Sequence, residues 1–260
     1  MGVGKSTLIE QLHEITLEHD LESKVCLIPE PVDLWDRFLQ TAPQGRRTYS
    51  ALQTFYRDPE RLSYAFQMFV LITLDAEFEM CVVKHLERYG EYPGICVVER
   101  FQNWVARYTF VQDFVDRGFW SPEEYDFYTT TWEYVVHKAK LSTPIHWYVQ
   151  CSPQSCRTRV GERGRAGENA LSVTALTRLH RLFERWSASY LQEDDRIINT
   201  EMNNTNPNNK LWFNCWLSKE LLNHVLHVYR DVLPTAELVA LEGHRVYCTG
   251  VCATLPIQLV

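Results

Sequence analysis

Gly4-Lys5-Ser6, with Gly2 two places earlier, is the downstream half of the pattern G-x-x-x-x-G-K-[ST]. That pattern uses glycines so that successive backbone N–H groups turn around phosphate oxygens, a lysine to reach the outer phosphates, and a hydroxyl to face Mg²⁺. Gly2, Val3, Gly4, Lys5, Ser6 and Thr7 are therefore the candidate phosphate contacts, and Ser6 a candidate metal ligand. The pattern's first glycine would fall before Met1, so it is expected to be absent, together with the strand that leads into such a loop.

Two further groups carry charge to the ends of apolar runs. Lys24-Val-Cys-Leu-Ile-Pro29 closes on Glu30, and Gly94-Ile-Cys-Val-Val98 closes on Glu99-Arg100. In open α/β sheets the carboxyl ends of strands face the ligand crevice, so both acids and the arginine are expected in one cleft. There a carboxylate can accept the proton of an attacking hydroxyl, and a second can hold Mg²⁺ directly or through water. Glu30, Arg100 and Lys5 are the catalytic candidates, and Glu99 joins Ser6 at the metal. Arginines at 157, 159, 163 and 165 put four cations into nine residues. Gly161, Gly164 and Gly167 interrupt helical propensity in that stretch, which favours a flap whose guanidiniums close on a triphosphate. Trp35, Phe66 and Phe110 can sandwich a flat ring, and Gln67 offers an amide to a base edge. The plainer alternatives stay open at this level: a solvated acid, a structural ion pair, a charged helix face and helix core.

The elements that must position these groups follow from periodicity. Leu8, Ile9, Leu12 and Ile15 mark the buried stripe of a helix opened by the glycine turn. Short apolar strands are expected at 24–29, 94–98, 145–149 and, more weakly, 196–198. A long helix should follow Asp58-Pro59 and stop at Gly90, and another should begin at Ser121-Pro-Glu-Glu124, which has the form of a capping box. Strands alternating with helices predict a doubly wound parallel sheet with helices on both faces. Asn occupies five of positions 203–209, a loop, and 210–233 reads as one more helix.

Composition bounds the rest. The chain has 260 residues, 45% hydrophobic, with 26 basic against 33 acidic side chains and a net charge of −7. Disorder, collagen and coiled coil are excluded, and so is a protein that coats nucleic acid, which needs a broadly basic surface. No stretch approaches 18 consecutive apolar residues and no secretory pattern opens the chain, so a soluble, intracellular protein without a membrane partner is expected, cytoplasmic by first choice with mitochondrion and nucleus as alternatives. The eight scattered cysteines read as reduced, buried thiols.

Taken in order, Gly-Lys-Ser-Thr, Glu30-Pro-Val, Tyr56-Arg-Asp-Pro, Phe66-Gln67, Glu99-Arg100, Ala106-Arg-Tyr, the arginine-rich segment and Leu176-x-x-Leu179-His180 resemble the cellular-type deoxynucleoside kinases. That group includes thymidine, deoxycytidine and multisubstrate deoxynucleoside kinases and, more distantly, herpesvirus-like thymidine kinases. The resemblance implies a P-loop NTPase-like domain over 1–233 with an Arg-rich lid at about 155–168, and leaves 234–260 as a tail without a role. By position, Glu30 matches the general base for the sugar 5′-hydroxyl, Glu99-Arg100 the pair beside the metal, and Arg159, Arg163 and Arg165 the arginines that embrace the phosphates. Tyr56 and Glu168 match the residues that hold the 3′-hydroxyl. Trp35, Phe66, Val70 and Phe110 resemble the walls of the base pocket and Gln67 the reader of the pyrimidine edge. Leu74 and Ala106 stand where relatives that favour deoxycytidine and purines carry an arginine–aspartate pair, so thymidine, with deoxycytidine, is the implied substrate. ATP and Mg²⁺ are implied as cofactors, and a homodimer through the long helices. One residue more than in close relatives separates Arg100 from Ala106, which would rotate the helix by about 100° unless a π-bulge absorbs it. A nucleoside monophosphate kinase and a non-catalytic nucleoside-binding relic are the rival readings.

Overall fold

The computed structural model describes residues 2–36, 38–42, 45–100, 105–139, 145–191, 196–200 and 255–259. In chain order the elements are α1 (Lys5–Glu18), β1 (Val25–Ile28), α2 (Val32–Asp36), β2 (Phe38–Ala42), β3 (Gly45–Tyr49), α3 (Ala51–Arg57), α4 (Pro59–Tyr89) and β4 (Ile95–Val98). They continue with α5 (Phe110–Asp116), α6 (Pro122–Ala139), β5 (Ile145–Gln150), α7 (Pro153–Arg163), α8 (Val173–Tyr190), β6 (Arg196–Asn199) and β7 (Leu255–Leu259). Short 3₁₀ turns occupy Ala106–Tyr108 and Glu168–Ala170.

A five-stranded sheet has the order β1-β4-β7-β5-β6, and every pairing in it is parallel. Side chains alternate across it and so build two cores. Val25, Ile95, Val97, Trp147 and Val149 face α1 through Leu8, Ile9 and Leu12. Cys26, Ile28, Cys96 and Val98 face α4 through Phe78 and Val82. Helices therefore cover both faces, which is why β4 is buried at all four positions.

The place of the strand expected to be missing is taken by Leu255–Leu259, from the segment to which the sequence assigned no role. Leu255 to Gln258 pair with Ile95 to Val98, and Ile257 to Leu259 with Ile145 to Trp147. Pro256 sits opposite Cys96 and has no N–H to give to the ladder.

Caps set the helix boundaries. In α4, the Asp58 carboxylate accepts from the Arg61 N–H, Pro59 starts the first turn, and Gly90 at φ 75° ends the helix. In α6, the Ser121 N–H donates to Glu124 and the Glu124 N–H to the Ser121 hydroxyl, at 2.8 and 3.2 Å. The arginine-rich segment departs from expectation: α7 runs through Gly161 to Arg163 before Gly164, at φ 64°, closes it. One glycine costs about 1 kcal/mol in a helix; the Ser152 cap, Pro153 in the first turn, and burial of Cys156 and Val160 offset that. The antiparallel hairpin β2–β3 carried no signal that was read in the sequence.

The helix expected over 210–233 and the Asn-rich loop lie outside the described residues. Cys26, Cys81, Cys96, Cys151 and Cys156 form no disulfide. Among the described residues no helix is long and apolar enough to cross a membrane.

Candidate active site

The first turn of α1 begins where the chain must bend sharply. Gly4 caps it at φ 102° and Gly2 lies at φ 70°, both in the region that only glycine occupies cheaply. A Cβ on Gly2 would come within 2.8 Å of the Cys156 carbonyl on α7, so the loop is pressed against that helix. Its backbone is held from behind. The Thr200 hydroxyl donates to the Val3 carbonyl at 3.0 Å, and Arg159 donates to the Thr200 hydroxyl at 2.9 Å and to its carbonyl at 2.6 Å. Arg159 lines the cleft, but its described bonds brace the loop. Thr200 was not singled out in the sequence, although it follows β6 at the carboxyl edge of the sheet.

Ser6, in the first turn of α1, donates from Oγ to Glu99 Oε1 at 2.6 Å. The other oxygen of Glu99 accepts the Glu30 backbone N–H at 3.2 Å. Glu99 is 4% exposed and follows β4, while Glu30 follows β1, so the parallel pairing of those strands brings the two acids together. Arg100 Nε lies 3.0 Å from Glu30 Oε1, and its guanidinium covers the Phe110 ring at 4.7 Å from the centroid. Burial by itself would raise the Glu30 pKa; Arg100, with Lys5 and Arg165, outweighs it and holds the carboxyl below its ordinary value. Glu30 is thus ionised at neutral pH and can accept a proton.

Ser6 and Glu99 offer one hydroxyl and one carboxylate. That set suits Mg²⁺, which keeps waters and substrate phosphates as its remaining ligands. Among the described residues no cluster of three or more His, Cys, Asp or Glu could hold a metal unaided.

Opposite the loop, Glu168 is 2% exposed. It is clasped by Arg163 on one oxygen, and Arg165 lies 3.5 Å from the other. Gly167, at φ 88°, brings this turn against α3, where a Cβ would stand 3.1 Å from the Tyr56 ring. Burial, then the charge of Glu168, raises the Tyr56 pKa far above its ordinary value, so Tyr56 is a neutral hydroxyl at any working pH.

The charged and hydroxyl side chains of this set border one cleft of about 850 Å³, which also receives Thr7, Trp35, Phe66, Gln67 and Phe110. Trp35 is fixed by its indole N–H bond to Thr73 Oγ1 at 2.9 Å and meets Phe66 edge-on at 6.3 Å. Gln67 is 4% exposed, yet among the described residues its Oε1 has no hydrogen-bond partner. A buried amide oxygen left open at a cleft wall is costly unless a ligand completes it.

Three predicted substrate contacts are placed elsewhere. Val70 and Leu74 pack behind Trp35 with Leu52, and Ala106 lines a small adjoining cavity of about 70 Å³ that shares Arg100 and Phe110 with the cleft. Conversely, Phe55, stacked on Phe66 at 4.6 Å, and the charged residues Asp113, Arg117 and Arg178 line the cleft without having been selected from the sequence. Phe55 adjoins Tyr56, but nothing local distinguishes the other three from solvated helix residues.

The arrangement combines a phosphate loop, a hydroxyl–carboxylate metal position, an ionised acid and an aromatic slot with an open amide. Comparison with known proteins agrees with this chemistry. The chain is 27% identical over 184 residues to putative kinase protein 029R of Invertebrate iridescent virus 3, covering 71% of this chain and 77% of that one. It is 26% identical over 198 residues to deoxycytidine kinase 2 of Gallus gallus, covering 72% and 70%. To the deoxycytidine kinase of Homo sapiens it is 23% identical over 210 residues, covering 74% and 77%. The model of the family described as deoxynucleoside kinase matches residues 1–228, and the chain belongs to the deoxynucleoside kinase family.

Proposed function

We propose that this protein transfers the γ-phosphoryl group of ATP to the 5′-hydroxyl of a pyrimidine deoxynucleoside, thymidine and deoxycytidine both being accepted. The observation that carries this reading is Glu30, ionised and held 3.0 Å from Arg100, in the cleft that also contains Lys5 and the open Oε1 of Gln67. Glu30 takes the proton of the 5′-hydroxyl as its oxygen bonds to the γ-phosphorus. The bond from that phosphorus to the β,γ-bridging oxygen breaks, and ADP leaves with the electron pair. Lys5, Arg163 and Arg165 neutralise the charge that moves, and Arg100 orients the base and faces the reacting phosphate. Mg²⁺ held at Ser6 and Glu99 would neutralise the donor phosphates and align them. Phosphoryl transfer asks for positioning more than covalent chemistry, and within the lid expected over 155–168 the turn from Gly164 to Gly167, which carries Arg165, is the part that would close, since α7 is packed on the phosphate loop.

The aromatic pair Trp35 and Phe66 and the open amide of Gln67 support acceptance of a flat pyrimidine ring. Labelled ATP offered with thymidine, deoxycytidine and thymidylate tests the reaction. Both nucleosides should gain label and thymidylate should not. Label on thymidylate alone would make the protein a monophosphate kinase, and nucleoside binding without ADP release would make it a binding relic.

A homodimer built on α4 and α6 is part of the same proposal. Ile72 and Val83 on α4, with Phe127 and Tyr134 on α6, are each more than half exposed, and within each pair the spacing keeps both side chains on one helix face. Light scattering should give twice the chain mass of 30.6 kDa; a single chain mass at micromolar concentration ends that assignment.

A further inference from the structure

Asp113 is an acid 6% exposed on the wall of the cleft, and its side chain is committed on both oxygens. Arg178 of α8 donates from Nε to Oδ1 at 2.9 Å, and Arg117 Nη1 lies 3.6 Å from Oδ2. All three residues border the same cleft as Gln67 and Phe66. Asp113 lies three residues after Phe110, hence on the same face of α5 as that ring, and the next residue, Phe114, meets Phe55 edge-on at 5.9 Å. Phe55 in turn stacks on Phe66. The charged trio therefore adjoins the aromatic slot. Arg178 gives Nε to Asp113, its two terminal NH₂ groups hold no hydrogen bond among the described residues, and the side chain keeps 36% of its surface.

Gln67 cannot by itself tell thymine from cytosine. Its amide rotates, so it accepts from N3–H and donates to O4 of thymine, or donates to N3 and accepts from the 4-amino group of cytosine, equally well. A guanidinium cannot rotate its way out: every polar edge of arginine is a donor. Resting on the nucleoside kinase reading above, we infer that Arg178, held in place by Asp113, selects a pyrimidine with a carbonyl rather than an amino group at position 4. Asp113 is then a positioning residue that aims the guanidinium and removes it from competing partners. This assigns base choice to a pair on α5 and α8.

The test compares thymidine, deoxyuridine and deoxycytidine as acceptors for the wild type, Arg178→Met, Arg178→Lys and Asp113→Asn, reading kcat and KM separately. Deoxyuridine has the 4-carbonyl without the 5-methyl, so it isolates the contact. Arg178→Met should lower the ratio of kcat/KM for thymidine over deoxycytidine, and for deoxyuridine over deoxycytidine, by about tenfold or more, the scale of a lost charge-assisted hydrogen bond. The loss should lie in KM. Arg178→Lys should recover part of both ratios, and Asp113→Asn should move them in the same direction by less. Ratios unchanged in Arg178→Met, whether or not the melting temperature falls, make the pair a strut between helices and overturn the inference. A wild type that phosphorylates none of the three overturns the kinase reading as well, and phosphorylation of all three with unchanged ratios overturns this inference alone.

Discussion

Glu30→Gln should slow kcat by about 10²-fold or more, the usual scale of a lost general base. Glutamine is nearly isosteric and can still accept from Arg100, whose Nε lies 3.0 Å from the carboxylate, so the cleft keeps its shape and loses only the proton acceptor. KM for ATP should change little, because the phosphate loop is braced from Thr200 and Arg159 on the other side. The acid limb of the wild type follows from the same geometry. Burial pushes the Glu30 carboxyl up, but Arg100, Lys5 and Arg165 together hold it below its ordinary 4.5. A depressed pKa means that the charged form contributes stability above the unfolded-state value, lost as pH falls through the folded value. The wild type should therefore keep kcat/KM into the acid range below that of an ordinary carboxylate and then lose activity and melting temperature together, whereas the variant should show no corresponding acid limb in rate. A variant turnover within threefold of wild type would remove Glu30 from proton transfer.

The second large effect is expected for Glu168→Gln, with kcat/KM for thymidine falling about 10²-fold. Removing one partner of a buried ion pair costs about 3–5 kcal/mol when the remaining charge stays buried. Here the arginines keep 35% and 29% of their surface, so solvent screens part of that cost and the estimate is set at the lower end. Two guanidiniums would then face each other across a neutral amide, and the turn that packs Gly167 on Tyr56 would lose its anchor. If Glu168 and Tyr56 hold the sugar 3′-hydroxyl, the loss should be much smaller on 3′-deoxythymidine, which has no such group to lose. An equal loss on both substrates would confine Glu168 to holding the arginines.

Much of this site was legible because its signals are local. The strands before Glu30 and Glu99 are short apolar runs, and parallel pairing puts their carboxyl ends side by side whatever the rest of the chain does. Helix α4 was legible from Asp58-Pro59 and Gly90, since a cap and a stop act within one turn. Legibility failed where a residue's role depends on its partner. Arg159 reads as a phosphate ligand from its place in the arginine-rich segment; its described bonds go to Thr200 and the Val3 carbonyl, which only the folded sheet brings near it. Gly161 reads as a helix breaker, but burial of Val160 beside it keeps the helix. Ala106 reads as base pocket, and the 3₁₀ turn it begins sets it in a small cavity that adjoins Arg100 and Phe110.

The amino-acid order alone settled which reactive groups exist and which elements carry them, since caps, glycine turns and apolar periods act over a few residues. Tertiary structure decided which of those groups meet. The Thr200–Val3 bond spans 197 residues and the Arg178–Asp113 pair 65, and the central strand comes from Leu255–Leu259, between β4 and β5. No window of sequence contains such pairs, because they form only when packing of the whole sheet brings distant segments within hydrogen-bond range.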